Sequence, residues 1–282
     1  MSKKIYWKDI RQSFSKSKGR FFSIFSLMAI GAIALVGLKV TTPNMQRTAQ
    51  TFIETYNTMD LAVMADYGLS EEDIAELSSL EEATVEFGYL EDVTVADSNT
   101  AVRVYSETQE VSQFELVSGA FPTDKTEIAL ANSMSDDYQI GDSISFTTDS
   151  DSSLETTTYT VTGFVNSSEI WGTDDMGQSS AGTGQLAGYA LVTDDAFDSD
   201  IYMIARISYA DLDGVGFATD AYEEKLRDHQ DDLDVLLADN GEARLASLKA
   251  DAQAEIDEGT QEIADAEKKL ADAAQKITDA ES

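Results

Sequence analysis

FFSIFSLMAIGAIALVGL, Phe21 to Leu38, is an 18-residue run without a charge, and its reading decides the architecture. Arg20 and Lys39 flank it, and their aliphatic stems can lie along apolar surface while the charged ends stay in water. A helix needs about 20 residues to cross a hydrocarbon core of about 30 Å. A transmembrane helix over 21–40 is therefore expected, anchored in lipid by Phe21, Phe22, Phe25, Leu27, Leu35 and Leu38. The rival reading is a cleaved signal peptide, for which Ala32-Ile33-Ala34 supplies a small-x-small triplet. Cleavage there would leave Leu35-Val36-Gly37-Leu38 as an apolar new terminus, and the 20 residues before the run are long for a signal leader.

Charge divides at the same place. The 282 residues hold 19 basic and 53 acidic side chains, a net charge of −34. Residues 1–47 contain nine of the basic residues and one acid, Asp9, so residues 48–282 carry a balance of −42. Seven Lys or Arg residues precede the apolar run, which by the positive-inside rule keeps the N-terminus in the cytoplasm and the acidic bulk outside the cell membrane. An acidic bulk of this size excludes a nucleic-acid partner, which requires a basic footprint. The absence of cysteine excludes disulfide frameworks, Cys-ligated metal and thiol catalysis.

Working towards the N-terminus, residues 1–20 form a cytoplasmic basic leader. Tyr6, Ile10 and Phe14 recur every four residues, with Trp7 beside them and Lys8, Arg11, Lys16 and Lys18 interspersed. A short amphipathic helix at the inner membrane surface is expected, against the alternative of a disordered leader. Working outward, Thr41 to Asn57 keeps apolar residues at helical spacing (Met45, Ala49, Phe52, Ile53, Tyr56), which predicts a helical stalk over 41–58 with an interruption at Pro43.

From Met59 the period shortens. Asp60 to Met64 reads as a strand, and Ser70 reads as the N-cap of a helix with Asp73 at its third position. Strand-like runs follow at 84–95, 101–105, 127–130, 143–146, 157–165, 189–192 and 201–208, with turn residues between them. Residues 59–218 are thus expected to fold as one extracytoplasmic mixed α+β domain. From 219 to 282 the pattern is helical. AEIDEGT, QEIADAE, KKLADAA and QKITDAE, starting at Ala254, place Ile256, Ile263, Leu270 and Ile277 at position a of a heptad and Gly259, Ala266, Ala273 and Ala280 at d. This is a coiled-coil seam that requires a partner helix, a lone solvated helix being the alternative. The last heptad runs into Ser282 without a cap, so the expectation is the N-terminal part of a longer or truncated protein.

Chemistry is sparse. The single histidine, His229, sits among Asp228, Asp231 and Asp232 and is expected on a solvated helix face. Acidic pairs such as Asp149-Ser150-Asp151, Asp174-Asp175 and Asp211-Leu212-Asp213 do not make an EF-hand. From Asp149 the sixth position is Leu154 and the twelfth Thr160, where Gly and Glu belong. Gly182-Thr183-Gly184 lacks the spacing of a dinucleotide fingerprint, and no Walker A loop occurs. It lies in a Gly- and Ser-rich stretch, 172–188, expected as a mobile surface loop. No catalytic, cofactor or metal site is expected, and the chain does not read as an enzyme.

Several short segments resemble the FtsX-like or MacB-like ABC transporter permeases. Tyr6-Trp7-Lys8-Asp9-Ile10-Arg11 and Lys18-Gly19-Arg20-Phe21-Phe22 resemble the juxtamembrane start of that family. Asp60-Leu61, Tyr67-Gly68-Leu69 and Asp73-Ile74 resemble the opening of its extracytoplasmic domain. Leu116 to Pro122 (LVSGAFP), Glu127 to Leu130 (EIAL), Ile140 to Ile144 (IGDSI) and Tyr159 to Val165 (YTVTGFV) resemble its central signature, in the same order. The acidic coiled coil is similar to the extracellular helical insertion of large Gram-positive members. The resemblance implies a non-catalytic permease subunit that couples a separate cytoplasmic ABC ATPase to motion of the outer domain, for export or envelope remodelling. It also implies that Tyr6, Trp7, Ile10, Arg11 and Phe14 lie on the ATPase side. The alternative is a stand-alone membrane-anchored extracellular protein that binds partners through its coiled coil.

Overall fold

The computed structural model describes residues 3–16, 18–65, 67–148, 152–173 and 175–280, with backbone alone at 3–5, 9, 13, 14, 16, 274, 275 and 277–280. The side chains of Phe14 and Ile277, the acidic loop Asp149 to Asp151, and Asp174 therefore lie outside the described residues. The chain divides into two compact units, Met1–Thr55 with Gly216–Ala218, and Tyr56–Val215 with Thr219–Ser282.

The helices that build the first unit are α1 (Lys3–Lys16) and α2, which starts at Lys18 and continues to Tyr56, the first residue of the second unit. At 1.5 Å per residue, 39 residues extend about 60 Å. The interruption expected at Pro43 does not occur. Proline removes one N–H from the ladder without ending the helix, and threonines on the same polar stretch bond back to carbonyls four residues earlier. Thr41 donates to Gly37 O at 2.8 Å, Thr48 to Asn44 O at 3.0 Å and Thr51 to Arg47 O at 2.9 Å.

The second unit is a mixed α+β body with two sheets. In chain order it contains β1 (Leu61–Met64), α3 (Glu71–Ser78), β2 (Ala83–Gly88), β3 (Leu90–Val95), β4 (Ala101–Ser106), β5 (Glu115–Gly119) and β6 (Glu127–Ala131). These are followed by β7 (Ser143–Thr147), β8 (Thr158–Asn166), β9 (Leu186–Val192), β10 (Ile204–Tyr209), α4 (Asp220–Leu236) and α5 (Asn240–Ala280). The smaller sheet is antiparallel, in the order β1-β10-β2. The larger runs β5-β8-β6-β9-β4-β3-β7 and curls until β7 also pairs with β8, leaving few free edges. Its β4–β9 and β6–β8 pairs are parallel.

The run at 84–95 was expected as one strand and is two. Gly88 ends β2 in the small sheet, and after Tyr89 the chain enters the large one as β3. Ser106 holds this crossing point, its N–H donating to Tyr89 O at 3.0 Å and its hydroxyl accepting from Tyr89 N–H at 3.1 Å. Sequence reading missed β5 altogether, because its residues are mostly exposed and carry no clear alternation.

Each sheet has its own core. Val102, Val104, Ile128, Leu130, Val161 and Val165 lie in the large one. Ala205, Ile207 and Tyr209 of β10 face the other, which α3 and α4 complete with Leu77 and Leu233. The alternate face of β10 turns Arg206 toward the large sheet. Arg206 is fully buried, its Nε donates to Glu169 Oε1 at 2.5 Å, and its guanidinium lies 5.5 Å from the Tyr105 ring centroid.

The stretch 219–282, expected as one acidic coiled-coil helix, is two helices of different character. α4 buries Leu233 against the small sheet and ends near Leu237, whereas α5 leaves Ile256, Ile263 and Leu270 exposed. The division follows the pattern. α4 spaces Tyr222, Leu226 and Leu233 to cover a sheet, and only α5 carries the strict seven-residue repeat.

Candidate functional site

Four groups of residues outside the cores carry features that packing alone does not require. The first is the N-terminal unit. Among described residues none of α2 is buried, and by length and composition the helix is apolar enough to cross a membrane. Phe22, Phe25, Leu27, Leu35 and Leu38 are well exposed, while Phe21 is in T-shaped contact with Phe22 and stacked on Phe25. In α1, Tyr6 and Trp7 are about 70% exposed, at 70% and 69%. Ile10 and Arg11 are exposed as well.

The second is a latch formed by the residues where α2 ends. Asn57 adopts a left-handed φ of +44°, a conformation that Asn tolerates just beyond a helix C-terminus. Ser112 N–H donates to Asn57 O at 2.7 Å and Gln113 N–H to Tyr56 O at 2.9 Å. Asn57 Nδ2 donates to Glu110 O at 2.7 Å, Met59 N–H to Ser112 Oγ at 3.0 Å, and Ser208 Oγ to Asn57 Oδ1 at 3.1 Å. The loop that receives this segment is itself clamped by the Glu86 carboxylate, which accepts from the N–H groups of Gln109, Glu110 and Val111. Beside it lies a cleft of about 320 Å³ lined by Tyr56, Glu107, Gln113, Phe114, Phe121 and Pro122. Burial pushes the Glu107 carboxyl up. Sequence reading missed this latch. Asn at the end of a helix was the available signal, and its partners lie some 50 residues away.

The third group gathers the four segments of the central signature. β5, β6 and β8 are neighbours, β7 pairs with the start of β8, and Gly141 N–H donates to Val161 O at 2.8 Å. They crowd together at Gly119, where φ is +81° and a Cβ would fall 2.3 Å from Thr162 O, 2.7 Å from Gly163 Cα and 2.8 Å from the Ile140 side chain. Only glycine fits there on both counts. Val117, Phe121 and Ile140 leave apolar surface exposed around this point.

The fourth is the root and seam of α5. Asn240 is buried, and its Nδ2 donates to Asp73 Oδ1 and Glu76 Oε2, each at 2.8 Å. Asp73 also closes the capping box of α3, accepting from Ser70 N–H at 2.7 Å while Ser70 Oγ accepts from Asp73 N–H at 3.1 Å. Burial works against ionisation of Asp73, but hydrogen bonds from Ser70 and Asn240 and the charge of Arg244 hold its pKa below the usual value. Beyond this root the a positions Ile256, Ile263 and Leu270 are 61%, 63% and 73% exposed.

His229 differs from expectation. It is half-buried, its ring stacks on Tyr209 with centroids 3.8 Å apart, and Nε2 lies 2.8 Å from Asp211 Oδ1. Lys225 donates to the other Asp211 oxygen at 2.9 Å and, with His229, holds the Asp211 carboxyl below its ordinary pKa. The helix face that carries His229 packs on the end of β10, so the ring fastens α4 to the sheet. Within the stretch 172–188, expected as a mobile loop, Gln178 and Ser180 are tied to β4 and β3. Asp92 pairs with Arg103 at 2.6 Å and accepts from Ser180 N–H at 2.9 Å, while Arg103 donates to Gln178 O at 3.1 Å. Its last residues form the start of β9. No group of three or more His, Asp or Glu side chains is arranged to hold a metal ion among the described residues.

No protein-family model matches the sequence, and no curated protein does. Among solved structures the chain is similar to the crystal structure of the extracellular domain of noncanonic ABC-type transporter YknZ from Gram-positive bacteria. That likeness has 12% identity over 59% of this chain and 86% of that one, with a TM-score of 0.34.

Proposed function

We propose that this chain is part of a non-catalytic permease subunit of an ABC transporter of the FtsX or MacB type. In this reading α2 spans the cell membrane, α1 lies on the cytoplasmic side against a separate ATPase subunit, and the α+β body works outside. The observation that carries the reading is the convergence of the four signature segments. They are spread over residues 116–165, yet they meet as one sheet region around the Gly119–Gly163 contact. Consecutive strands are commonly neighbours, so the specific part of this arrangement is the left-handed Gly119 packed on Gly163.

The mechanical part of the proposal follows from continuity. α2 has no break between Lys18 and Tyr56, and the next residues are held by the hydrogen bonds of Asn57, Ser112 and Gln113. In this reading motion of the helix would reach the body through the covalent continuation of the chain into residues 56–60. The chain itself supplies no hydrolytic chemistry in this scheme. ATP is spent on the partner, and this chain transmits the motion.

The test is isolation of the full chain from its native membranes under mild crosslinking. An ATPase with a Walker A loop is expected to accompany it. Replacing Trp7, Ile10 and Arg11 together by Ala should reduce that association several-fold without changing membrane insertion. Absence of any such ATPase overturns the reading, and an association unchanged by the triple substitution removes α1 as the contact. The exposed seam of α5 favours a second reading, a stand-alone anchored protein that binds through its coiled coil, and isolation without an ATPase is its expected result.

A further inference from the structure

The seam of α5 carries a charge order that specifies its partner. The g positions that flank the a residues are Glu255, Glu262, Lys269 and Lys276: two acids followed by two bases, all exposed. Turned end for end and laid against itself, this order matches. Glu255 meets Lys276 of the second copy and Glu262 meets Lys269 of the second copy, and the two-fold axis repeats both pairs. Opposite charges at facing g positions set partner choice and orientation in coiled coils.

The same register aligns the core of the seam. With g facing g, each a position faces a d position of the other helix. Ile256 then lies against Ala273, Ile263 against Ala266 and Leu270 against Gly259 of the second copy. Every layer joins one large and one small side chain, so two helices can approach closely without a void or a clash. A parallel pairing is worse on both counts. It stacks Ile on Ile and Gly on Gly, sets Glu262 against Glu267, and gives no opposite-charge pair until Lys276 meets Glu281 at the end. Charge and size thus select the same arrangement independently.

We infer that α5 is an antiparallel self-association helix, occupied by the α5 of a second copy of this chain. The inference does not depend on the transporter reading, since an anchored stand-alone protein would pair in the same way.

The chain has no cysteine, so introduced pairs report without background. Two differently tagged full-length chains, one Ile256→Cys and one Ala273→Cys, are co-expressed, solubilised in mild detergent and oxidised. The expected product is the mixed 256–273 disulfide, with little 256–256 product, and the unsubstituted chain should have the mass of a dimer by light scattering. Glu262→Lys should lower crosslinking several-fold, and Glu262→Lys combined with Lys269→Glu should restore it. A dominant 256–256 product overturns the antiparallel arrangement. A monomeric mass for the unsubstituted chain, or a dimer that crosslinks at neither pair, overturns self-association through α5.

Discussion

Arg206 shows how a single side chain can hold two sheets together. It sits on β10 of the small sheet, its side chain pairs with Glu169 just after β8, and Tyr105 of β4 covers its guanidinium. Its Nη1 and Nη2 have no hydrogen-bond partner among the described residues, so the ion pair is buried and incompletely satisfied. Such a pair adds little over an apolar replacement, yet removing one member leaves an uncompensated buried charge. Arg206→Met should therefore cost about 3–5 kcal/mol, because Glu169 is left 7% exposed without its counter-charge. Arg206→Met with Glu169→Gln should recover much of that loss. Urea unfolding of the full chain in detergent, followed by Trp171 fluorescence, measures both. In the sequence Ile204-Ala205-Arg206-Ile207 reads as a strand with a charged outward position. Nothing in it says that the outward face is covered by another sheet, and His229 misled for the same reason.

At the scale of elements, the α3–α5 junction was half legible. Ser70 and Asp73 have the spacing of a capping box, and the structure forms it. That Asn240 would bond the same Asp73 from 167 positions away was not legible, because the contact depends on where α4 delivers the chain. The folded-state pKa of Asp73 is lowered, so the carboxylate contributes stability that is fully present above its unfolded value of about 3.9 and is lost as pH falls through the folded value. Asp73→Ala should cost about 1–2 kcal/mol at neutral pH, through the lost cap and the lost Asn240 bond. Its deficit relative to the unsubstituted chain should shrink below about pH 4. Hydrogen exchange in α3 and the first turns of α5, measured at pH 7 and pH 3.5, detects this. A deficit that persists unchanged at the lower pH would remove Asp73 ionisation as its cause.

At the scale of the whole molecule, the prediction concerns sidedness. Nine of the 19 basic residues lie within the first 47, and the acidic remainder has a balance of −42. A single Cys at Asp200, which is exposed, should react with a membrane-impermeant maleimide in intact cells. A single Cys at Lys8 should react only after permeabilisation. The reverse pattern would overturn the orientation expected from the charge asymmetry. Asp200 is a better reporter than a fusion within 204–209, since those residues form β10, the central strand of the small sheet.

The sequence by itself determined what depends on short-range pattern: the apolar run at 21–38, the cap at Ser70, most strand positions and the heptads from Ala254. Each of these is written in spacing along the chain, so no distant partner is needed to read it. Tertiary structure alone decided the pairing of those elements. It split 84–95 between two sheets, added β5, made β4–β9 and β6–β8 parallel, latched Asn57 to Ser112 and Glu110, and buried Arg206. These follow from which faces meet, and a face's partner is fixed by the packing of residues far apart in the chain, which local periodicity does not encode. On α5 the order of charges and sizes along one helix describes the complementary surface as well, and there the sequence reaches one step further than the fold.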